Sequence, residues 1–529
     1  MITYGPFKNI YIRRGSVHIA LLWQVITSIL LGRMHLKDSY GRLMLLSRVL
    51  GFDSSDSGRH NALNLITYKY ILVLFVTVLF FKYHPHCSPR LLITIMLVPH
   101  VFFVLYSPEL DYVEAGRSGA EENDVRVLHN ADNQPIIVDA DLKVEQVVES
   151  LELPTSMAFL GFNDFLVLEK QKGTIKRIVN DTMLDQPVLD VSVANENERG
   201  MLGIAVEKEV DSKTKRVSST HVFVAFTEAD EDGSDDCSSS ITCKQDRSPI
   251  GNRLYRYELV NNELTNPELL LDLPSAPGPA HNGGALLIGP DHQIYLTIGD
   301  VRCGCTQAAN VQEGGKPGGR AGILRLTLAG EPVPNGAIIG GDDPLYFYYA
   351  YGVRNSFGIA FDPVTGKLWD TENGAGSNDE INLVEPGFNS GYKLIQGIAK
   401  DKQDISSLED FAGRGRYSNP EFVWTRVVGP TALTFLDSNV LGKRYANDMF
   451  VGDVHRGNLY HFELNEDRTG LIVDGPLRDK IADDEEELEG VIFGRNFGGI
   501  SDLEVGPDGY LYVVSIGLGK IFRIIPEAR

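Results

Sequence analysis

Positive charge is scarce over most of this chain. Its 529 residues carry 49 Lys+Arg against 71 Asp+Glu, a net charge of -22. The deficit lies beyond Pro108, where 38 basic residues face 68 acidic ones. Such a body has no excess of cations to offset phosphate repulsion, which argues against nucleic acid as a partner and for a neutral substrate or a bound metal. Cysteine is scarce too, at five. Neither Cys237 with Cys243 nor Cys303 with Cys305 has the CxxC spacing of a zinc ribbon, and no histidine cluster accompanies them. As disulfides these four cysteines allow three connectivities. Pairing of Cys237 with Cys243, which bracket a polar loop, is the preferred one. Helical periodicity is nearly absent from Val144 onward.

The first 108 residues are different, with 11 basic residues against 3 acidic. Three apolar runs stand there, "ALLWQVITSILL" from Ala20, "YILVLFVTVLFF" from Tyr70 and "LLITIMLVPHVFFVLY" from Leu91. Each is shorter than the roughly 20 residues that cross a bilayer comfortably. Arg90 ahead of the last run, with Glu109 and Asp111 behind it, gives the positive-inside pattern. That run reads as an export signal or a single membrane anchor, which would set the acidic body outside the cytoplasm. A buried helix is the alternative. Residues before about Tyr70 carry no pattern tying them to the rest, as a translation start set too early would produce. The expected division is a basic N-terminal region over 1–110, a linker over 111–143 and the working domain over 144–529.

Within that domain short alternating strands are broken by Gly, Pro, Asp and Asn. "LLIGPDHQIYLTIGD" from Leu286, "IAFDPVTGKLWDTENG" from Ile359 and "LEVGPDGYLYVVSIG" from Leu503 repeat one unit: an apolar strand, a Pro-Asp or Asp-Pro turn, and an apolar-aromatic strand. Proline presets φ and Asp or Gly closes the turn, so each unit is a hairpin. Degenerate copies begin at Met157 and Leu433, and the region from Met201 supplies a sixth. Repeated sheets around an axis predict an all-β, six-bladed propeller, with a β-sandwich or barrel pair as the alternative. The polar insert from Thr227 lacks the glutamate that closes a calcium loop and reads as a solvated excursion, as does "DDEEELE" from Asp483.

Several motifs stand in a telling order: "ERGMLGIA" from Glu198, "HNGG" at His281, "YLTIGD" ending at Asp300, "YGVRNSFGIAFDP" from Tyr351 and "TENGAGSNDEINLVEPGFNSGY" from Thr371. Together they resemble the glucose/sorbosone dehydrogenase family, collinearly from Leu153 to Pro526. The resemblance implies an extracytoplasmic propeller, anchored or secreted, that uses pyrroloquinoline quinone and calcium to oxidise aldoses at C1 to lactones and passes electrons to an external acceptor. It makes His281 the general base, a task that suits an imidazole near neutrality, and Asp300 its orienting partner. Arg354 and Asn355 would reach the quinone oxygens, where a fixed guanidinium favours developing charge. The backbone carbonyls of Gly374 and Ala375 would hold the calcium, and Glu198 would contact the sugar. Family members meet the cofactor's carboxylates with a lysine and two arginines. Here those positions hold His455, Gly499 and Ser501, leaving Arg456 and Arg495 as the nearby cations to substitute. A cofactor-free ligand- or protein-binding propeller and a calcium-dependent lactonase are the competing functions. The lactonase needs several side-chain carboxylates at the axis, and the sequence assembles no such set.

Overall fold

The computed structural model describes residues 134–230 and 248–527. The chain divides into two units, 1–118 and 119–529, and the described residues belong to the second. The three apolar runs and the Cys237 with Cys243 pairing lie outside the described residues. Among those described, no helix is long and apolar enough to cross a membrane.

The described residues fold as an all-β propeller of six sheets. Each sheet starts with a first strand at the axis: Pro154–Gly161, Met201–Val210, Leu286–Ile288, Ser356–Phe361, Pro430–Phe435 and Ile500–Val505. Each of these pairs antiparallel with the strand that follows it. The repeated sequence unit is therefore the inner hairpin of a sheet, and its turn explains the repeat. In the third sheet Gly289 N donates to Gln293 O (2.8 Å), and the Asp291 carboxylate accepts from Gln293 N (3.2 Å) and Tyr295 OH (3.0 Å). The sixth sheet repeats the design, with Tyr510 N (3.1 Å) and Tyr512 OH (2.8 Å) both donating to Asp508. The aspartate closes the turn and orients a tyrosine of the next strand in one step.

Six apolar clusters fill the gaps between successive sheets. Met201 and Leu166 meet between the first two, Phe223 and Ile294 between the next pair, and Tyr295 and Ile359 after that. Trp369 packs with Met449, Phe450 with Leu503, and Tyr512 with Met157. That last cluster closes the ring. The closure is also hydrogen-bonded, because Leu142–Val148 pairs with the C-terminal strand Lys520–Pro526 in the sixth sheet. Ile136–Ile137 adds an edge to Ile492–Arg495 of the fifth sheet. Residues that composition had assigned to a linker thus contribute strands, since they complete sheets whose other strands lie at the far end of the sequence.

Strand register sets which residues reach the axial mouth. The start of a first strand faces the end of its partner: Pro154 opposite Glu169, Ser356 opposite Glu372, Pro430 opposite Asp453 and Ile500 opposite Ser515. Loops just before first strands and just after second strands therefore converge at one end. Two cavities of about 500 and 430 Å³ lie along the axis and share walls at Thr155, Leu202, Ala285, Phe357 and Ser501, each contributed by a different sheet.

Candidate active site

The larger cavity gathers residues from all six sheets. His281, Arg354, Asn355, Glu198, Gly374 and His455 line it together, although they span more than 250 positions of sequence. His281 precedes the first strand of the third sheet and has φ of 64°. Asp300 follows that sheet's second strand. His281 Nδ1 meets Asp300 Oδ1 at 2.5 Å, and the side chains are 12% and 3% exposed. Asp300 also accepts from Arg302 N (3.0 Å) and Tyr392 OH (3.1 Å). Burial pushes its carboxyl up, but these hydrogen bonds outweigh it and hold Asp300 below the usual carboxylate range. An ionised carboxylate only accepts, so the imidazole proton sits on Nδ1 and the Nε2 lone pair is free to accept.

That lone pair takes a hydrogen bond from Arg354 Nη2 at 2.7 Å. The guanidinium is fixed at its other arm by Asn373 O (2.7 Å), and Arg354 N donates to Glu372 Oε1 (2.7 Å). Asn355, 2% exposed, bridges the walls: its Nδ2 donates to Glu198 Oε2 (3.1 Å) and its Oδ1 accepts from Gly283 N (3.2 Å). Glu198 Oε2 also accepts from His281 N (2.5 Å) and Asn282 N (3.4 Å). Its Oε1 takes no hydrogen bond from the described residues.

Below the arginine lies a buried group of carboxylates. Burial pushes Glu372 up to about 7 against hydrogen bonds from Ser390 and Arg354 N. Burial and the neighbouring Glu372 drive Asp370 and Glu380 well above the carboxylate range. Asp379 reaches the cavity wall, where its oxygens accept from Gly374 N (2.8 Å), Val428 N (2.7 Å) and Gly429 N (2.8 Å).

Not every expected residue arrives. Arg456 turns to Glu485 (2.8 Å) and Arg495 to Glu489 (2.6 Å), so neither guanidinium lines the cavity. The acidic run from Asp483 draws both cations outward. Ser501 does line the cavity, but its hydroxyl donates to Pro154 O (2.8 Å). Ala375 is exposed, with its N–H on Gln396 Oε1 (3.0 Å), while Gly374 stays on the wall. Among the polar wall residues given no role from sequence are Lys170, Arg302, Asn373 and Asp379. Lys170 follows the second strand of its sheet, as Asn373 does, so the repeat register was the signal for both. Cys303 and Cys305 are joined as a disulfide beside Arg302.

An oriented imidazole and a fixed guanidinium in one axial cavity are equipped for proton transfer beside developing negative charge. The Glucose / Sorbosone dehydrogenase family model matches residues 151–523, and the chain belongs to that family. It is 23% identical over 395 residues to the aldose sugar dehydrogenase YliI of Escherichia coli, covering 73% of this chain and 94% of that protein. It is 28% identical over 273 residues to quinoprotein glucose dehydrogenase B of Acinetobacter calcoaceticus, covering 48% of this chain and 53% of the relative. The crystal structure of a Thermus thermophilus putative oxidoreductase (glucose dehydrogenase) superposes with a TM-score of 0.54 at 26% identity, over 73% of this chain and all of that one.

Proposed function

We propose that this protein is a quinone-dependent dehydrogenase that oxidises the C1 hydroxyl of an aldose to the lactone. The observation that carries the reading is the His281 ring, held by Asp300 on one nitrogen and presenting the other to the cavity beside Arg354. Oxidising a hemiacetal removes a hydroxyl proton as hydride leaves the carbon, which calls for a base whose tautomer is fixed. Nε2 of His281 has that lone pair. Arg354 yields the position to the substrate hydroxyl and remains a fixed positive charge beside the reacting centre, where it favours developing negative charge. Asp300 stabilises the imidazolium that results. Glu198 Oε1 is the open acceptor for a sugar hydroxyl.

The residues present fit the cofactor the family implies. Asn373 Oδ1 is buried and lacks a hydrogen-bond partner among the described residues. Beside Gly374 it offers a hard cation such as calcium the amide and carbonyl oxygens it prefers; no cluster of three or more acidic, His or Cys side chains is placed for a metal among the described residues. Arg354 and Asn355 would face the quinone ring, with Lys170 and His455 as cationic or polar wall residues for its acidic side. Pyrroloquinoline quinone, when bound, supplies the two-electron acceptor, and an external acceptor would return it to the oxidised form. The name of the Acinetobacter relative, a quinoprotein, supports this choice. The disulfide between Cys303 and Cys305 agrees with an extracytoplasmic location, secreted or membrane-anchored through the N-terminal region.

Dye reduction with glucose and other aldoses, after adding quinone and calcium, tests the reading. A second reading is a cofactor-free binding propeller, favoured by Gly499, Ser501 and the outward-turned Arg456 and Arg495. No dye reduction together with no quinone binding by calorimetry would select it.

A further inference from the structure

We propose that Lys170 is a carboxylate anchor of the central cavity, holding an acidic group either of the cofactor or of an acidic sugar. The inference deepens the dehydrogenase reading but rests on separate observations. Lys170 is 8% exposed and yet lines the cavity. Its Nζ donates to Asn197 O at 2.7 Å, and the described residues offer its ammonium no other acceptor. An ammonium has three N–H donors, and a buried donor left without an acceptor is costly. A ligand oxygen in the cavity would meet the open ones.

The described residues do not pair this charge. Glu198 is the carboxylate whose field reaches Lys170, but among the described residues no carboxylate lies within ion-pair distance, and one Glu198 oxygen already accepts three hydrogen bonds. Asp379, on the same cavity wall, is occupied by three backbone N–H groups. Burial draws the ammonium down to about 8, with Glu198 opposing. The charged and titratable groups sharing the cavity are Glu198, His281, Arg302, Arg354, Asp379 and His455. Where sequence placed substitute anchors, at Arg456 and Arg495, the guanidinium groups are committed to surface glutamates. In an acidic body, a buried cation with open donors is thus a site for an anion, and a carboxylate has the size and charge to take it.

Equilibrium binding to the full chain tests this with three probes: pyrroloquinoline quinone, glucuronate and, as neutral control, glucose. At pH 7, Lys170→Gln is expected to weaken at least one acidic probe by about 10-fold or more, with partial recovery in Lys170→Arg. Wild-type affinity for that probe should fall about 10-fold between pH 7 and 9.5 as the ammonium loses its proton, while Lys170→Gln stays flat and glucose is unmoved. A quinone response assigns the carboxylate to the cofactor, and a glucuronate response assigns it to the substrate. Thermal melts will show Lys170→Gln folded, because the change removes a desolvated charge. Binding of both acidic probes unchanged by Lys170→Gln, or no binding of either to wild type, overturns the inference. Lys170-dependent carboxylate binding without any dye reduction would instead overturn the dehydrogenase reading alone.

Discussion

Arg354 Nη2 stands 2.7 Å from His281 Nε2, on the ring nitrogen opposite the one that meets Asp300 at 2.5 Å. The imidazole is therefore clamped between an anion that fixes its proton and a cation that occupies its lone pair. In the proposed reaction, substrate would have to displace the guanidinium from Nε2 before the imidazole could accept a proton. The clamp keeps the base oriented until then, and it makes the two partners separable by mutation.

Asp300→Asn keeps the shape of the side chain but not its acceptor character. Three donors converge on the native carboxylate, from His281, Arg302 N and Tyr392 OH, and an amide must turn its own N–H groups toward one of them. The imidazole then shifts to the tautomer with Nε2 protonated. In a dye-linked assay kcat should fall about 10³- to 10⁴-fold with KM for the sugar nearly constant. A loss smaller than tenfold would remove Asp300 from the orienting role.

Arg354→Lys tests the other jaw. A guanidinium spans Asn373 O and His281 Nε2 at once, both at 2.7 Å, whereas an ammonium is a point charge that cannot fork between them. The expected result is a loss of about 10²-fold in kcat, with quinone affinity reduced less. Full activity in Arg354→Lys would mean that charge alone, without the fork, meets the requirement.

The parts of the fold readable from sequence are those with a local physical cause. A Pro-Asp turn whose carboxylate also binds a tyrosine four residues on, as Asp508 binds Tyr512, leaves a spacing that repeats visibly. His281, Asp300 and Arg354 were legible because the register places loops before first strands and after second strands at one mouth. The closing strand was not: Leu142–Val148 pairs with residues almost 380 positions away, and nothing in its own composition requires that. Arg456 and Arg495 do not line the cavity, because proximity in sequence to His455, or to Gly499 and Ser501, says nothing of the glutamates that capture them. Lys170 was missed since "LEKQKG" reads as an ordinary strand end followed by a charged turn. The repeat register sets it at the mouth, and the burial of its ammonium at the cavity distinguishes it from the charges around it.

Gly299, within "YLTIGD", carries the site in a different way. A Cβ there would collide with the carbonyl oxygens of both His281 and Arg354, so the missing side chain is what lets the loops carrying those two residues close on each other. Gly299→Ala should push them apart, lowering kcat at least tenfold and stability by about 1–3 kcal/mol. Comparing the loss of activity with the loss of thermal midpoint, at a temperature where the variant is fully folded, separates displacement of the site from unfolding. A folded Gly299→Ala variant with native kcat would show that the loops tolerate the added methyl.

Glu372 predicts how stability responds to pH. Burial raises its carboxyl from the usual 4.5 to about 7 in the folded chain, so between those values the folded state holds a proton that the unfolded state has released. The folded state is thereby favoured at low pH, and the advantage is lost as pH rises through about 7. Asp370 and Glu380 are raised for the same reason and by the same neighbour, so their contribution has the same sign. Asp300, held below its usual range, acts in the opposite sense, its contribution being lost only under more acidic conditions. The thermal midpoint should therefore decline from pH 5.5 to pH 8. Glu372→Gln removes the charge, its amide oxygen accepting from Arg354 N and its N–H group donating to Ser390 Oγ, which turns to accept, and it should flatten that decline while raising the midpoint at pH 8. An unchanged slope in Glu372→Gln would move the titration to Asp370 or Glu380, and a slope of opposite sign in the wild type would mean that these buried carboxyls stay ionised across the range.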